Sequence, residues 1–180
     1  MTFEFSILDC LQTLHQPFLD KMMVFISSLG NAGLLWIILA LVFICTKKYR
    51  RFGATMLLAL LLGLIIGNGA LKNIVARERP CWINETVELL IAVPKDYSFP
   101  SGHTLASFGA ATALFWNKKT WGAAAYALAA LIAFSRMYLY VHFPTDILCG
   151  MLLGLCTGTA AWFMIKKYWP GLEKKFSGKG

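Results

Sequence analysis

The chain has 180 residues, 58% of them hydrophobic and only 14% charged, with a mean hydropathy of +0.61 and a formal charge of +8. Soluble domains carry nearer a quarter charged residues, so these values exclude an ordinary soluble domain and point to an all-α, polytopic membrane bundle. The basic excess does not indicate nucleic acid, because most of it sits at the ends of apolar runs, where membrane proteins anchor their topology.

In chain order, Phe3, Phe5, Ile7, Leu8, Leu11, Leu14 and Phe18 mix with Glu4, Asp9, Gln12 and His15 at helical spacing. The pattern predicts an amphipathic helix over 1–20 lying in the membrane interface, with Pro17 ending it and Asp20 capping the next helix. It lacks the basic start and small-residue cleavage site of an export signal. Five apolar runs then make a membrane domain over 21–167: about Met22–Cys45, Phe52–Ala70, Thr104–Trp116, Trp121–Phe134 and Ile147–Ile165. The third and fourth are shorter than the ~20 residues a span needs and must borrow from their flanks. A basic tail, 168–180, follows. Five scattered cysteines form no CxxC and no cysteine–histidine cluster, so neither zinc nor a disulfide framework is expected, and no pairing of Cys10 with Cys81 is assumed.

Charge gives the expected orientation. The connections holding Lys47, Lys48, Arg50 and Arg51, and Lys118 and Lys119, fall on one face with the segment after the last span. That face holds 11 of the 17 basic residues and is read as cytoplasmic. Lys72, Arg77, Arg79 and Arg136 fall on the opposite face, where topology does not explain them and an anionic ligand does.

The second run leads into Lys72-Asn-Ile-Val-Ala-Arg77-Glu-Arg79-Pro80. A helix continued through Ala76 and stopped by Pro80 puts Lys72 and Arg79, two turns apart, on nearly one face. Two readings stay open for the pair: holding one phosphate together, or snorkelling to the interface. The loop Cys81–Phe99 is unusually apolar and is expected to cover the site. Its Asn84-Glu85-Thr86 matches a glycosylation acceptor, a tripeptide common by chance.

Pro100-Ser101-Gly102-His103 enters the third run. Ser101 fits an N-cap, Gly102 allows close backbone approach, and His103 in the first turn faces an anion held by the helix start. Ser135-Arg136 closes the fourth run, followed by His142 and Asp146. Pro144 suits the first turn of the last helix, so Asp146 can reach back to one nitrogen of His142 and leave the other as a nucleophile. A membrane histidine is more often a structural hydrogen-bonder; the neighbouring aspartate and arginine favour the functional reading.

The ordered segments K-x6-R-P, P-S-G-H and S-R-x5-H-x3-D resemble the type 2 phosphatidic acid phosphatase family, whose catalytic core is shared with vanadium-dependent haloperoxidases. The resemblance covers about Phe18 to Lys167 and extends to small bacterial members acting on undecaprenyl diphosphate or phosphatidylglycerol phosphate. It implies a lipid phosphatase with His142 as nucleophile, Asp146 orienting it and His103 as proton donor. Lys72, Arg79, Ser101, Gly102 and Arg136 would hold the phosphoryl group, with Arg77 at most a helper. It implies no metal and no cofactor, and a lipid phosphate as substrate within membrane lipid; the charge distribution puts the three segments on the extracytoplasmic side of a cell-membrane protein. Lipid phosphotransfer by the same residues is one alternative. A non-catalytic lipid-binding or transport protein is another, against which the complete nucleophile, acid and cation set argues. Oligomeric state is not legible.

Overall fold

Apolar runs of this length can satisfy their backbone groups in lipid only by coiling. The computed structural model describes residues 2–176 and contains helices and connecting segments, with no strand among the described residues. The helices are α1 (Thr2–Gln12), α2 (Pro17–Leu29), α3 (Leu34–Cys45), α4 (Arg50–Gly63), α5 (Lys72–Val75), α6 (Pro80–Ile83), α7 (Gly102–Asn117), α8 (Lys119–Tyr138) and α9 (Pro144–Phe176). Two stretches, Lys47–Ile83 and Pro144–Gly171, are long and apolar enough to cross a membrane. The pair Pro17–Leu29 and Asn31–Cys45 makes a third if taken as one bent span. α7 and α8 extend past their apolar runs at both ends. The tail expected over 168–180 is helical to Phe176, and 177–180 lie outside the described residues.

α7 and α8 pack against one another, and α9 packs on the other side of α7. On α9, Gly150, Gly154 and Gly158 recur every fourth residue and present one side-chain-free stripe to α7. A Cβ on Gly154 would lie 2.9 Å from the Gly109 nitrogen, and one on Gly158 2.6 Å from the Gly109 oxygen. Trp36 of α3, Met56 and Ala59 of α4, and Ala110, Ala111 and Leu114 of α7 form the core of this end, where Trp36 Nε1 donates to Ser107 Oγ at 3.0 Å. Phe43, Tyr49, Phe52 and Trp121 cluster at the α3–α4 turn with Lys118 over the Trp121 ring, an arrangement suited to a membrane–water boundary.

Several local expectations are corrected. α1 stops at Gln12, and Pro17 opens α2 instead of ending α1, because a missing N–H costs nothing at a helix start. Asp20 is no cap: it lies inside α2 and accepts from Tyr138 Oη at 2.6 Å. The first run is not continuous. It bends by 43° around Gly30–Gly33, where Ala32 and Gly33 adopt left-handed φ values of 51° and 66°. The second run widens into a π-helical stretch over Leu64–Leu71 and its last turn ends at Val75, with Ala76 left-handed at φ 45°. Pro80 therefore begins α6 and does not stop a helix.

α1 docks on the α8–α9 junction. Leu8 is fully buried there with Tyr138, Tyr140 and Phe143. His15 stacks on Tyr138 at 4.4 Å, and Tyr140 Oη donates to Asp9 Oδ1 at 2.7 Å. All five cysteines are free.

Candidate active site

The α8–α9 junction is short and wholly buried, and it carries His142. Pro144 starts α9, so Asp146 lies in its first turn, as the spacing requires. The carboxylate does not touch the imidazole directly, since Asp146 Oδ2 is 3.7 Å from His142 Nδ1. Ser98 stands between them, with Oγ 2.5 Å from Asp146 Oδ2 and 3.3 Å from Nδ1. A carboxylate only accepts, so the Ser98 proton goes to Asp146 and Ser98 Oγ accepts from Nδ1–H. The tautomer follows: Nε2 has its lone pair free and accepts from Arg79 Nη1 at 3.2 Å. Burial, then the charges of Arg79, Arg136 and Lys72, holds the His142 pKa well below its usual value, which keeps the imidazole neutral.

Asp146 is held from every side. Oδ2 also accepts from the Phe143 N–H at 2.9 Å, and Oδ1 accepts from Arg77 Nη1 at 2.7 Å. Arg77 reaches Glu4 of α1 through Nη2 at 2.7 Å, and Glu4 Oε1 accepts from Thr145 Oγ1 at 2.6 Å. Arg77 thus serves the aspartate and not the cavity where a ligand fits.

Lys72 and Arg79 do converge, though through a broken helix. Both bind the Asp96 carboxylate, Lys72 at Oδ2 and Arg79 Nη2 at Oδ1 (2.8 Å). Arg79 also donates from Nε to Asp96 O (2.6 Å), from Nη1 to Val141 O (2.7 Å) and from Nη2 to Tyr97 O (3.3 Å). Burial raises the Asp96 pKa, but the Lys72 hydrogen bond and the Arg79 charge outweigh it and bring it to about 2. Arg136 is less engaged: Nη1 donates to Ser27 Oγ, and its buried Nε has no partner among the described residues.

Ser101 caps α7, accepting from the Thr104 N–H at 3.5 Å and Thr104 Oγ1 at 3.0 Å. It is fully buried and does not line the cavity described next; Gly102 and His103 do. A Cβ on Gly102 would sit 3.1 Å from Asn68 Oδ1, itself buried without a partner among the described residues. His103 Nε2 lies 3.0 Å from Asn31 Oδ1, and a Cβ on Gly30 would lie 2.7 Å from its ring. The bend after α2 is thus what brings Asn31 to this histidine.

His142, His103, Lys72, Arg79, Arg136 and Gly102 share one cavity of about 610 Å³. Its remaining wall includes Ile37 of α3, Leu57, Leu60 and Leu61 of α4, and Leu105 of α7. Cations and N–H donors at one end and aliphatic side chains at the other suit a phosphate on a long apolar tail. The residues that sequence reasoning missed are Ser98, Asp96 and Asn31. The first two lie just upstream of Pro100-Ser101-Gly102-His103, and that adjacency is the signal that could have found them. Nothing in the sequence marks Asn31. Among the described residues no group of three or more His, Cys, Asp or Glu side chains is placed to hold a metal ion.

The PAP2 superfamily model matches residues 48–170, most of the chain. The chain belongs to the PAP2 superfamily. An undecaprenyl-diphosphatase of Sulfolobus acidocaldarius is 34% identical over 76% of this chain and 66% of that protein, so the match spans about two thirds of the relative's length. Phosphatidylglycerophosphatase B of Bacillus subtilis is 31% identical, over 79% and 73% of the two chains. Among solved structures, Aquifex aeolicus LpxE superimposes with a TM-score of 0.76 at 28% identity, covering 87% of this chain and 93% of that one. The phosphatidylglycerolphosphate phosphatase of Bacillus subtilis gives 0.74 at 27% identity, with 94% and 86% covered. The chain is a membrane phosphatase of the PAP2 class, and the family resemblance of the three motifs holds.

Proposed function

We propose that the chain hydrolyses the terminal phosphate of a lipid, with undecaprenyl diphosphate and phosphatidylglycerol phosphate as the favoured substrates, through a phosphohistidine on His142. The observation that carries this reading is the unprotonated Nε2 of His142, accepting a hydrogen bond from Arg79, in the wall of a cavity also lined by aliphatic side chains. The two favoured lipids follow from what the Sulfolobus acidocaldarius and Bacillus subtilis relatives are named for.

In the first step Nε2 attacks phosphorus while the bond to the leaving oxygen breaks, and protonated His103 gives that oxygen its proton. In the second, water attacks the phosphohistidine, His103 takes a proton from it, and the P–N bond breaks to release inorganic phosphate. Lys72, Arg79 and Arg136, with the Gly102 and His103 backbone N–H groups at the start of α7, carry the charge that builds on the phosphoryl oxygens. Ser101 sets that helix start. Asp146 fixes the nucleophile through Ser98. The scheme draws its positive charge from side chains and calls on no metal.

The membrane arrangement proposed with it has five spans, the α2–α3 pair counted as one, within a phosphatase domain over 21–167. The helix within 1–20 lies at the outer interface, the site opens on the extracytoplasmic side, and the tail over 168–180 is cytoplasmic. Exposed Leu34, Ile38 and Leu41 share α3 with the cavity-lining Ile37, and exposed Ile65 follows the cavity-lining Leu64, which supports lateral entry of a lipid tail from the bilayer.

The test is phosphate release by protein purified in detergent with chelator, from undecaprenyl diphosphate, phosphatidylglycerol phosphate and phosphatidic acid in turn. Release from at least one lipid, inhibition by vanadate, and loss in His142→Ala and His103→Ala are expected, with acid-labile labelled phosphate trapped on the wild type alone. Full activity in His142→Ala would overturn the mechanism. Single cysteines at positions 118 and 88 of a cysteine-free variant test sidedness: only position 88 should label from outside.

A further inference from the structure

Arg79 has five N–H donors, and all of them are directed at partners: Asp96 O, Asp96 Oδ1, Tyr97 O, Val141 O and His142 Nε2. A phosphoryl oxygen can reach this guanidinium only by displacing one of them. Four are backbone carbonyls or the nucleophile. The fifth is the Asp96 carboxylate, whose side chain is 55% exposed while those of Lys72 and Arg79 are 9% and 3% exposed. Its two oxygens sit one on each cation, as two phosphoryl oxygens would. The backbone around it is pinned on both sides, by Trp82 Nε1 donating to Pro94 O at 3.1 Å and by the Ser98 N–H donating to Arg77 O at 2.8 Å. The carboxylate can therefore swing away by side-chain rotation while the loop stays in place.

We propose that Asp96 is a specificity-determining residue: a carboxylate latch over Lys72 and Arg79 that yields to terminal phosphates and excludes the phosphodiester head groups of bulk lipid. This deepens the phosphatase reading and rests on it. The exchange is one of charge. A phosphodiester brings one negative charge, the same as the carboxylate it would replace, and so gains nothing by the exchange on these two cations. A terminal phosphate carries about −1.5 to −2, and a diphosphate more, so its arrival leaves the cations better compensated than before. An enzyme immersed in phosphodiester lipid needs such a threshold, because its substrate is greatly outnumbered at the mouth of the cavity. Asp96 also leaves Arg136 as the cation with donors to spare, which lets an incoming phosphate bind there before the latch opens.

The experiment compares wild type, Asp96→Asn, Asp96→Ser and Asp96→Glu in detergent micelles. Hydrolysis of undecaprenyl diphosphate is followed with rising phosphatidylglycerol and, separately, with rising inorganic phosphate. In both neutral variants phosphatidylglycerol should inhibit about five- to tenfold more strongly than in wild type, since two ion pairs sharing one half-exposed carboxylate are removed. Inorganic phosphate should also bind more tightly and KM should fall. Asp96→Glu, which keeps the charge, should keep the exclusion of phosphatidylglycerol. Unchanged inhibition in the neutral variants overturns the latch, as does a raised KM with weaker phosphate inhibition, which would mark Asp96 as a buttress for Arg79. Loss of folded protein in both neutral variants overturns it too. Absence of lipid hydrolysis by the wild type on undecaprenyl diphosphate, phosphatidylglycerol phosphate and phosphatidic acid alike would instead defeat the phosphatase reading.

Discussion

Two carboxylates reach the two ring nitrogens of His142 through intermediaries, Asp146 through Ser98 and Asp96 through Arg79, and they are held in opposite ways. Asp146 is completely buried, and every hydrogen bond it accepts comes from a group that does not face the cavity: Arg77, Ser98 and the Phe143 N–H. Asp96 is half exposed and binds the two cations that do face it. A buried carboxylate with saturated partners is positioned once, at folding, and has nothing to exchange with a ligand. A carboxylate at the mouth of a cavity, on cations that a phosphate also wants, is a competitor. The difference lies in their surroundings, since the side chains are chemically the same.

The largest loss is expected of Asp146→Asn. The amide leaves the packing intact but cannot accept from Arg77 and Ser98 as a carboxylate does, and kcat should fall about a thousandfold or more, as when a triad aspartate is lost. A fall of only a few fold would mean Asp146 is no more than a packing residue. Arg77→Gln and Glu4→Gln test the buried clamp behind it. Removing Arg77 leaves Asp146 buried with less compensation and should cost roughly 3 kcal/mol of stability, read as a lower thermal midpoint in detergent. Glu4→Gln should cost less, because Thr145 and Arg77 keep other contacts.

Ser98→Ala separates relay from contact. If Ser98 carries the orientation of Asp146 to Nδ1, kcat should drop about ten- to a hundredfold with KM little changed, a typical cost for a group supporting a catalytic ligand from behind. Ser98→Thr, which keeps the hydroxyl, should recover part of it. Activity equal to wild type in Ser98→Ala would show that Asp146 closes on His142 by itself. Gly30→Ala probes the other histidine. The added methyl would press on the His103 ring and on Ile132 Cγ2, 2.9 Å away, and kcat should fall while the stacking of His15 on Tyr138 is undisturbed.

The smallest effects are those of pH on stability. His142 in the folded chain stays neutral below its usual pKa of 6.5, so only the unfolded chain gains a proton as pH falls through that value. Its contribution is complete above 6.5 and declines toward lower pH, and His142→Gln should flatten that part of the curve. The Asp96 pKa is depressed from 3.8 to about 2, so its contribution is present above about 4 and lost as pH falls toward 2. Thermal midpoints of Asp96→Asn and wild type should therefore converge only below about pH 4.

Much of this was readable from local pattern. The bend at Gly30–Gly33 was not, because a helix that breaks at two residues in left-handed conformation, Ala32 and Gly33, looks, as hydropathy, like a continuous run. Lys72 and Arg79 were correctly paired for a reason that does not operate: seven residues of unbroken helix. The chain leaves the helix at Ala76, and the two side chains meet because Arg79 and Lys72 converge on Asp96. Arg77, by its place inside the first motif a helper at most, turns to the far side of Asp146, where Glu4 completes its charge balance.

Local pattern encodes the apolar periodicity that demands helices in lipid, the cap at Ser101, the proline start of α9 and the short reach that places Asp146 beside His142. These depend on interactions between residues a few positions apart, which a linear pattern records. Only long-range packing makes Ser98, not Asp146, touch the imidazole, seats Asp96 on Lys72 and Arg79, and brings Asn31 to His103. Each of those contacts joins residues 17 to 72 positions apart. Their geometry follows from where three packed helices and one loop come to rest, and no local spacing encodes it.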